Sequence, residues 1–175
     1  WRDWSSDVCS SDLHTNQSGF LMAGRTRLKG FIAVSSATAG TVNVWDTTTA
    51  PTSVTYGRSG TTITVTLASH GLTTGDVVGL TFAAAGGVSA TNGNYAVTVL
   101  TANTYTVTDI NSGTIATSTA GTQGTRWLTS FDTSAVTTSG TAQSMYALLP
   151  GEGMLVRNGL YAQLANQDSF TVFYG

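Results

Sequence analysis

Two histidines, one cysteine and nine carboxylates are the side chains of this sequence that could support acid–base, nucleophilic or metal chemistry. His70 is the natural candidate for a metal ligand or general base, but no cysteine or carboxylate cluster accompanies it. The serines occur in no Gly-x-Ser-x-Gly elbow that leads into a helix, and the other histidine, His14, adjoins an anomalous N-terminal segment. The sequence therefore predicts no catalytic residue, no metal ligand and no cofactor, and it favours a protein that is not an enzyme.

The carboxylates are scattered over different predicted turns. Asp76 follows Gly75 at the entry to a strand, where a carboxylate can accept backbone N–H bonds. A glycosidase needs two carboxylates that converge in space, and the sequence neither supports nor excludes such a pair. A polysaccharide-degrading enzyme therefore stays open as one alternative.

Turn formation accounts for most of the other distinctive residues. Glycine and asparagine suit tight turns, and Asn-Gly is a strong signal for a two-residue hairpin. A structural role in turns is predicted for His70, Gly71, Gly75, Asp76, Asn92, Gly93, Pro150, Gly151, Gly153, Asn158 and Gly159.

The composition predicts an all-β protein that binds neither nucleic acid nor membrane. Threonine is the most frequent residue, Gly outnumbers Pro by 20 to 2, and Lys29 and Glu152 are the only lysine and glutamate. The net charge of −2 does not suit a phosphate backbone. No apolar run is long enough to span a bilayer.

Period-two alternation predicts strands along most of the chain. Arg25–Ser35 and Thr41–Asp46 are expected to form a hairpin, and Asn158-Gly159 is expected to close another. In the middle of the chain, Tyr95–Leu100 and Thr104–Ile110 are predicted as two strands, with a further strand at Thr114–Thr119. No helix is predicted.

Differences in composition divide the chain into two predicted domains. The stretch from 53 to 124 is rich in Thr and Gly and nearly free of charge, whereas 19–50 and 125–175 resemble each other in composition. We therefore expect a β-sandwich of about seven strands over 19–50 plus 125–175, with a small β-barrel-like domain, 53–124, inserted in a loop. One continuous sandwich with a Thr-rich middle is the alternative.

The first thirteen residues differ in composition from the rest of the chain. Positions 3–13, DWSSDVCSSDL, resemble the in-frame translation of a common sequencing-library adapter. Without 1–13 the chain has six basic and six acidic residues and no cysteine. Segment 1–13 is therefore expected to be an adapter-derived artefact and disordered, and a chain that begins near Thr15 is expected to fold equally well.

Two segments resemble known families. The runs ITVTLASHGLTTGDVVGLTF and NGNYAVTVLTANTYTVTD are similar to the phage versions of the small β domain named after the first catalytic-cysteine half-domain of ubiquitin-activating enzymes. The segment has no cysteine, so the resemblance implies a fold and not thioester chemistry. The runs RLKGFIAVSSATAGTVNVWDTTT, LLPGEGMLVRNGLYAQL and SFTVFYG resemble β-structured virion proteins of tailed phages.

These resemblances imply a non-enzymatic structural protein of a tailed-phage virion, which is assembled in the bacterial cytoplasm. In the virion, the protein would serve in capsid decoration or form part of a tail or fibre. The expected partners are other virion proteins and further copies of the chain. A carbohydrate-binding adhesin module that contacts a surface glycan is the alternative. Most of the aromatic residues are expected in the core, and those left outside are candidate contacts with neighbouring subunits; the set is Trp45, Trp127, Phe131, Tyr146, Tyr161, Phe170, Phe173 and Tyr174.

Overall fold

The computed structural model describes residues 12–84, 89–134 and 144–175, and the prediction of an all-β fold is confirmed. Among these residues no helix is long and apolar enough to cross a membrane. The strands are β1 (Asp12–Thr15), β2 (Gly19–Ala23), β3 (Thr26–Ser35), β4 (Gly40–Asp46), β5 (Thr52–Thr66), β6 (Val77–Phe82), β7 (Gly93–Ala96), β8 (Thr98–Thr101), β9 (Thr104–Gly124), β10 (Trp127–Thr133), β11 (Ser144–Leu148), β12 (Met154–Val156), β13 (Gly159–Ala165) and β14 (Gln167–Tyr174).

The chain divides into two compact units. Unit 1 comprises Trp1–Val44 together with Thr129–Gly175, and unit 2 comprises the intervening Trp45–Leu128. Unit 2 is thus continuous in sequence and unit 1 is not. The sequence had suggested an inserted segment at 53–124, which lies within unit 2.

Two antiparallel sheets contain the strands of unit 1. Sheet A has the order β1-β14-β3-β11, and β12 also pairs with β3; sheet B has the order β10-β4-β13-β2. Phe31 and Phe170 of sheet A contact Phe131 of sheet B, and the rings of Phe31 and Phe131 stack with centroids 4.1 Å apart. The buried aromatic and aliphatic residues between the sheets are those expected of a β-sandwich.

The prediction of two hairpins in this unit is wrong. β3 lies in sheet A and β4 in sheet B, and Asn158-Gly159 likewise joins β12 of sheet A to β13 of sheet B. β3 already pairs with β14 on one edge and with β11 and β12 on the other, so it has no edge left for β4. The connections therefore carry the chain from one sheet to the other.

Two strands near the N-terminus were not predicted. β1 pairs with β14, and β2 pairs with β13, so among the described residues the two sheets contain nine strands instead of about seven. Asp12 and Leu13 lie in β1, opposite Phe173 and Val172. The expected disorder of segment 1–13 is therefore wrong for its last two residues, and residues 1–11 lie outside the described residues.

Sheet C contains the strands of unit 2 in the order β5-β9-β6-β7, with β8 paired to β9. Its described strands form an open sheet and not a closed barrel. The two segments predicted at Thr104–Ile110 and Thr114–Thr119 are parts of the single strand β9. The segment predicted at Tyr95–Leu100 is divided between β7 and β8, because the Val97 N–H leaves the ladder and donates to the Asp76 carbonyl at 2.9 Å.

Alternation along β5 and β9 separates a core face from an outer face. Ile63 and Val65 on β5 and Tyr105 and Val107 on β9 are buried. Their neighbours on the other face are threonines, which pair directly across the two strands as Thr62 with Thr108, Thr64 with Thr106, and Thr66 with Thr104. The Thr-rich composition of this segment is thus the outer face of a two-stranded ribbon.

Candidate functional site

His70 lies between β5 and β6, and its ring contacts backbone groups. Its Nδ1 accepts a hydrogen bond from the Leu72 N–H at 3.0 Å, so the proton of the neutral ring is on Nε2, which lies 3.0 Å from the Thr101 carbonyl oxygen. The ring also packs edge-on against Tyr105, with centroids 5.4 Å apart. Both ring nitrogens are engaged with backbone groups, and this arrangement supplies neither a metal ligand nor a general base.

The other motif residues of unit 2 also contact backbone. The Asp76 carboxylate accepts from the Thr73 N–H at 2.8 Å, and the Asn92 side-chain oxygen accepts from the Phe82 N–H at 2.8 Å. Gly71 and Gly75 have φ of 65° and 100°, a region that favours glycine. Gly93 begins β7.

Turns in unit 1 contain the remaining motif residues. Gly151 and Gly153 have φ of 65° and 73°, and the Gly153 N–H donates to the Pro150 carbonyl at 3.3 Å. The Asn158 carbonyl accepts from the Gly24 N–H at 2.8 Å, and Gly159 begins β13.

A buried ion pair in unit 2 is the feature that the sequence analysis missed. Arg58 Nη2 lies 3.2 Å from Asp109 Oδ2, and both side chains are fully buried. Asp109 sits where β9 leaves the register of β5, because Gly60 pairs with Gly113 while Thr62 pairs with Thr108. The extra residues of β9 form a bulge, and the ion pair lies at its base.

Backbone groups complete the polar contacts of this pair. Arg58 donates from Nε to the Gly60 carbonyl at 3.0 Å, from Nη1 to the Ser89 carbonyl at 3.1 Å, and from Nη2 to the Asn111 carbonyl. Asp109 accepts from the N–H groups of Thr91 and Asn111, at 3.0 and 3.4 Å. The pair therefore ties three chain segments together, which we call the clasp: 58–60, 89–91 and 109–111.

The surroundings of Asp109 keep it ionised at neutral pH. Burial alone raises the pKa of its carboxyl, but hydrogen bonds from Thr91 and Asn111 and the charge of Arg58 outweigh burial. The pKa is therefore held below its ordinary value of 3.8. A carboxylate in this state is neither a general acid nor a free ligand, because its partners already occupy it.

A shallow groove of about 490 Å³ lies beside the clasp. Tyr95 lines it, and the Tyr95 hydroxyl donates to the Thr91 carbonyl. Burial, and then the charge of Asp109, raise the pKa of Tyr95 to about 12 although Arg58 opposes them, so the hydroxyl keeps its proton. The lining residues are Thr91, Gly93, Asn94, Tyr95, Ala96, Thr108, Asp109 and Ile110.

Several apolar side chains lie on one face of sheet A in unit 1. Tyr146 and Leu148 alternate along β11 with less exposed neighbours, and they are 58 % and 65 % exposed. Cross-strand register aligns Tyr146 with Ile32 and then Thr171, and it aligns Leu148 with Gly30 and then Phe173. The Tyr146 and Phe173 rings meet edge to face, with centroids 6.2 Å apart.

We define the outer face of sheet A as Ile32, Val34, Tyr146, Leu148 and Phe173. All five lie on the side of the sheet opposite the buried residues Phe31, Ala33, Phe170 and Val172, and none of the five is charged. The polar residues Thr171 and His14, which hydrogen-bond to each other, lie on the same side. Exposed apolar patches of this kind mark contacts with other molecules more often than scattered single residues do. Tyr146 is the clearest exception to the expectation that the aromatic residues lie in the core.

The described residues contain no group of three or more His, Cys, Asp or Glu side chains that could hold a metal ion. No family model matches the chain, and neither the curated proteins nor the solved structures contain a significant match.

Proposed function

We propose that this chain is a non-enzymatic structural protein of a tailed-phage virion, in which it acts through protein–protein contacts. The observation that carries the proposal is the outer face of sheet A, a set of five apolar side chains on one side of an antiparallel sheet, two of which are more than half exposed. The resemblance of the sequence to β-structured virion proteins gives the proposed setting, which includes capsid decoration and a tail or fibre position.

The fold is well suited to such a role. Most backbone polar groups of an antiparallel sheet are satisfied within the sheet, so the fold needs no bound ligand to remain rigid. The clasp similarly fixes the loop and bulge of unit 2 from within. The surfaces left for function are then the exposed side chains, which include Tyr146 and Leu148 on the outer face of sheet A.

Quantitative mass spectrometry of purified particles tests this proposal. Particles of the phage that encodes the chain are banded on a density gradient and compared with the soluble fraction of the lysate. We expect the chain in the particle band, in a fixed ratio to the other structural proteins. Recovery of the chain only in the soluble fraction would overturn the proposal.

The groove beside the clasp favours carbohydrate binding as a second candidate function. A tyrosine ring, two threonine hydroxyls and an exposed isoleucine line it, and neutral sugars are bound by such combinations of aromatic and hydroxyl groups. A glycan array probed with the purified protein tests this candidate. Binding that Tyr95→Ala abolishes and Tyr146→Ala leaves intact would support it, and an array without signal would exclude the sugars tested.

A further inference from the structure

We propose that a second cleft of unit 2, at the end of β9, binds a single neutral sugar ring. We call it the Gln123 cleft. The inference goes beyond both functions proposed above, because this cleft belongs neither to the outer face of sheet A nor to the groove beside the clasp. It is carried by two polar side chains that line the cleft, are held in place by the fold and still have hydrogen-bonding capacity.

Three parts of unit 2 form the Gln123 cleft, which has a volume of about 340 Å³. They are the chain that leads into β5, the turn before β6 together with the start of β6, and the end of β9. Small-molecule sites measure roughly 300–1,000 Å³. A cleft at the lower end of this range suits one sugar ring better than a longer glycan.

Gln123 is the hydrogen-bond donor of the cleft. Its backbone pairs with Thr52 of β5 and with Leu80 of β6, and its side-chain Oε1 accepts a hydrogen bond from the hydroxyl of the fully buried Tyr105. Burial raises the pKa of Tyr105 above its ordinary value of 10.0, so this hydroxyl keeps its proton and remains the donor. The amide is thereby oriented. Its Nε2 has no hydrogen-bond partner among the described residues and is not buried, so two N–H donors are available.

Asp76 is the hydrogen-bond acceptor of the cleft. One carboxylate oxygen, Oδ2, accepts from the Thr73 N–H at 2.8 Å, and this contact holds the side chain against the turn before β6. The other oxygen, Oδ1, has no hydrogen-bond partner in the part of the chain that the structure describes. A carboxylate oxygen accepts up to two hydrogen bonds, so Oδ1 can accept from the hydroxyls of a ligand.

A carboxylate acceptor and an amide donor in one cleft favour a ligand that is rich in hydroxyl groups. A hydroxyl both donates and accepts, so neighbouring hydroxyls of one ring can donate to Asp76 and accept from Gln123. The apolar side chains of Leu72 and Val77 line the same cleft and can contact the C–H groups of the ring. Further hydroxyls come from Thr49, Thr52 and Thr125.

Charge argues against an anionic ligand. The lining residues of the Gln123 cleft, all of them described, include the carboxylate of Asp76 and no basic side chain. A phosphate or carboxylate group would therefore meet only a like charge. A neutral sugar carries no charge to be repelled, and its hydroxyls can satisfy the carboxylate in place of water.

An NMR titration of the full ¹⁵N-labelled chain tests the site. The probes are glucose, galactose, mannose and N-acetylglucosamine, with putrescine as a cationic probe and inorganic phosphate as an anionic one. We expect at least one sugar to cause saturable shifts of the backbone amides of Leu72, Gln123 and Thr125 and of the Gln123 side-chain NH2 group. A single ring makes few contacts, so the dissociation constant should be on the order of 1 mM.

Asp76→Asn tests the acceptor. The introduced amide oxygen can still accept from the Thr73 N–H, so the turn is kept, whereas the oxygen available to the ligand is replaced by an NH2 donor. We expect the dissociation constant of the sugar to rise about tenfold or more. Asp168→Asn, the same change at an exposed residue of unit 1, is the matched control and should leave the dissociation constant unchanged.

Gln123→Glu tests the donor independently. A carboxylate at this position still accepts from the Tyr105 hydroxyl, but it has no N–H group to offer the ligand. We expect a loss of affinity of about tenfold or more here as well. The spectrum of each variant without sugar shows whether its fold is kept, so that lost binding is not mistaken for lost structure.

The outcomes separate this inference from the functions proposed above. No shift in the cleft with any of the four sugars, equal affinities of Asp76→Asn and Asp168→Asn, or saturable binding of putrescine or phosphate in place of a sugar would overturn it. Shifts confined to Asn94 and Ala96 would also overturn it, and they would support the groove beside the clasp instead. The particle measurement is independent, because it does not require sugar binding.

Discussion

The Arg58–Asp109 ion pair shows that two charged side chains can connect several segments of a chain that is poor in charge. A buried ion pair stabilises a fold only when its remaining hydrogen-bonding groups are also satisfied, and removal of one partner leaves the other charge buried without compensation. Here backbone carbonyls and N–H groups of three segments complete the contacts. At the scale of the residue, the clasp is therefore a structural device, and its effect on stability can be measured.

We expect Asp109→Asn to reduce the free energy of unfolding of unit 2 by about 3–5 kcal/mol, because the Arg58 guanidinium then remains buried and unpaired. Chemical denaturation followed by hydrogen exchange measures the loss and assigns it to unit 2. Glu152→Gln, which removes an exposed carboxylate, is the control and should change stability little. The double change Arg58→Met with Asp109→Leu should cost less than Asp109→Asn, since it removes both charges; a larger cost would contradict the account.

Acid should weaken the clasp. The folded state holds the pKa of Asp109 below its ordinary value, so the carboxylate contributes its full stability at pH values above that ordinary value of 3.8. The contribution is lost as the pH falls further and the folded-state carboxyl takes up a proton. Unfolding free energies measured from pH 7 to pH 2 should fall more steeply for the wild type than for Asp109→Asn below about pH 4, and parallel curves would contradict this assignment.

The residue scale also shows what a single sequence can reveal about a site. The turn motifs around His70 and Asp76 can be recognised from the sequence, because glycine and short polar side chains act on backbone groups only a few residues away. The Arg58–Asp109 pair joins residues that are distant in sequence, and only the fold brings them together. The scarcity of charged residues was the available signal, since Arg58 is the only arginine or lysine between Lys29 and Arg126.

At the scale of the element, alternation predicted most strands but not their partners. A period of two is a local property, whereas the choice of partner depends on which sheet edges are open once other strands have paired. β3 shows this directly, because pairing with β14, β11 and β12 leaves β4 to the other sheet. The same reasoning explains why Asn158-Gly159, a typical hairpin signal, joins two sheets here.

Close approach of β9 to Trp45 gives a test at this scale. A Cβ added at Gly124 would lie 2.7 Å from Cε3 of the Trp45 ring, which is fully buried and has no room to move. Gly124→Ala should therefore destabilise unit 2 by about 1–3 kcal/mol, as overpacking of a core does. Gly19→Ala meets nothing within 4 Å and should be tolerated, and thermal unfolding of both variants measures the difference. Equal melting temperatures would contradict the packing described for Trp45.

At the scale of the whole molecule, the chain connects two compact units, of which unit 2 is a single continuous segment. The change in composition near residues 53 and 124 could be recognised in the sequence because the two units differ in their content of charged residues and threonine. The exposed outer face of sheet A was not visible, since alternating apolar residues indicate one buried face and do not reveal whether the other face is also apolar.

Replacement of 53–124 by a short flexible linker tests how independent unit 1 is. Thr52 and Gln123 are direct partners across β5 and β9, so the two ends of the removed segment lie side by side and a few residues can join them. We expect the shortened chain to keep cooperative unfolding and a β-type circular dichroism spectrum. Loss of cooperativity would show that unit 1 needs unit 2 in order to fold.

The N-terminal segment yields a paired prediction. Removal of residues 1–11 leaves β1 intact and should not change the stability of unit 1. Removal of 1–15 also deletes β1, its pairing with β14 and the 2.9 Å hydrogen bond between His14 and Thr171, and it should lower the melting temperature. This prediction replaces the expectation from the sequence that a chain beginning near Thr15 folds equally well. Equal melting temperatures for the two truncations would show that β1 adds no stability.

The central claim is that the outer face of sheet A attaches this chain to its protein neighbours in a particle. The most direct measurement is the fraction of chain that co-sediments with purified particles when Leu148→Lys replaces the wild type, with Val77→Lys, at a comparably exposed residue of unit 2, as the control. The account predicts that Leu148→Lys is largely excluded from the particles and that Val77→Lys is incorporated normally. Equal incorporation of all three chains, or the absence of all three from the particles, would contradict it.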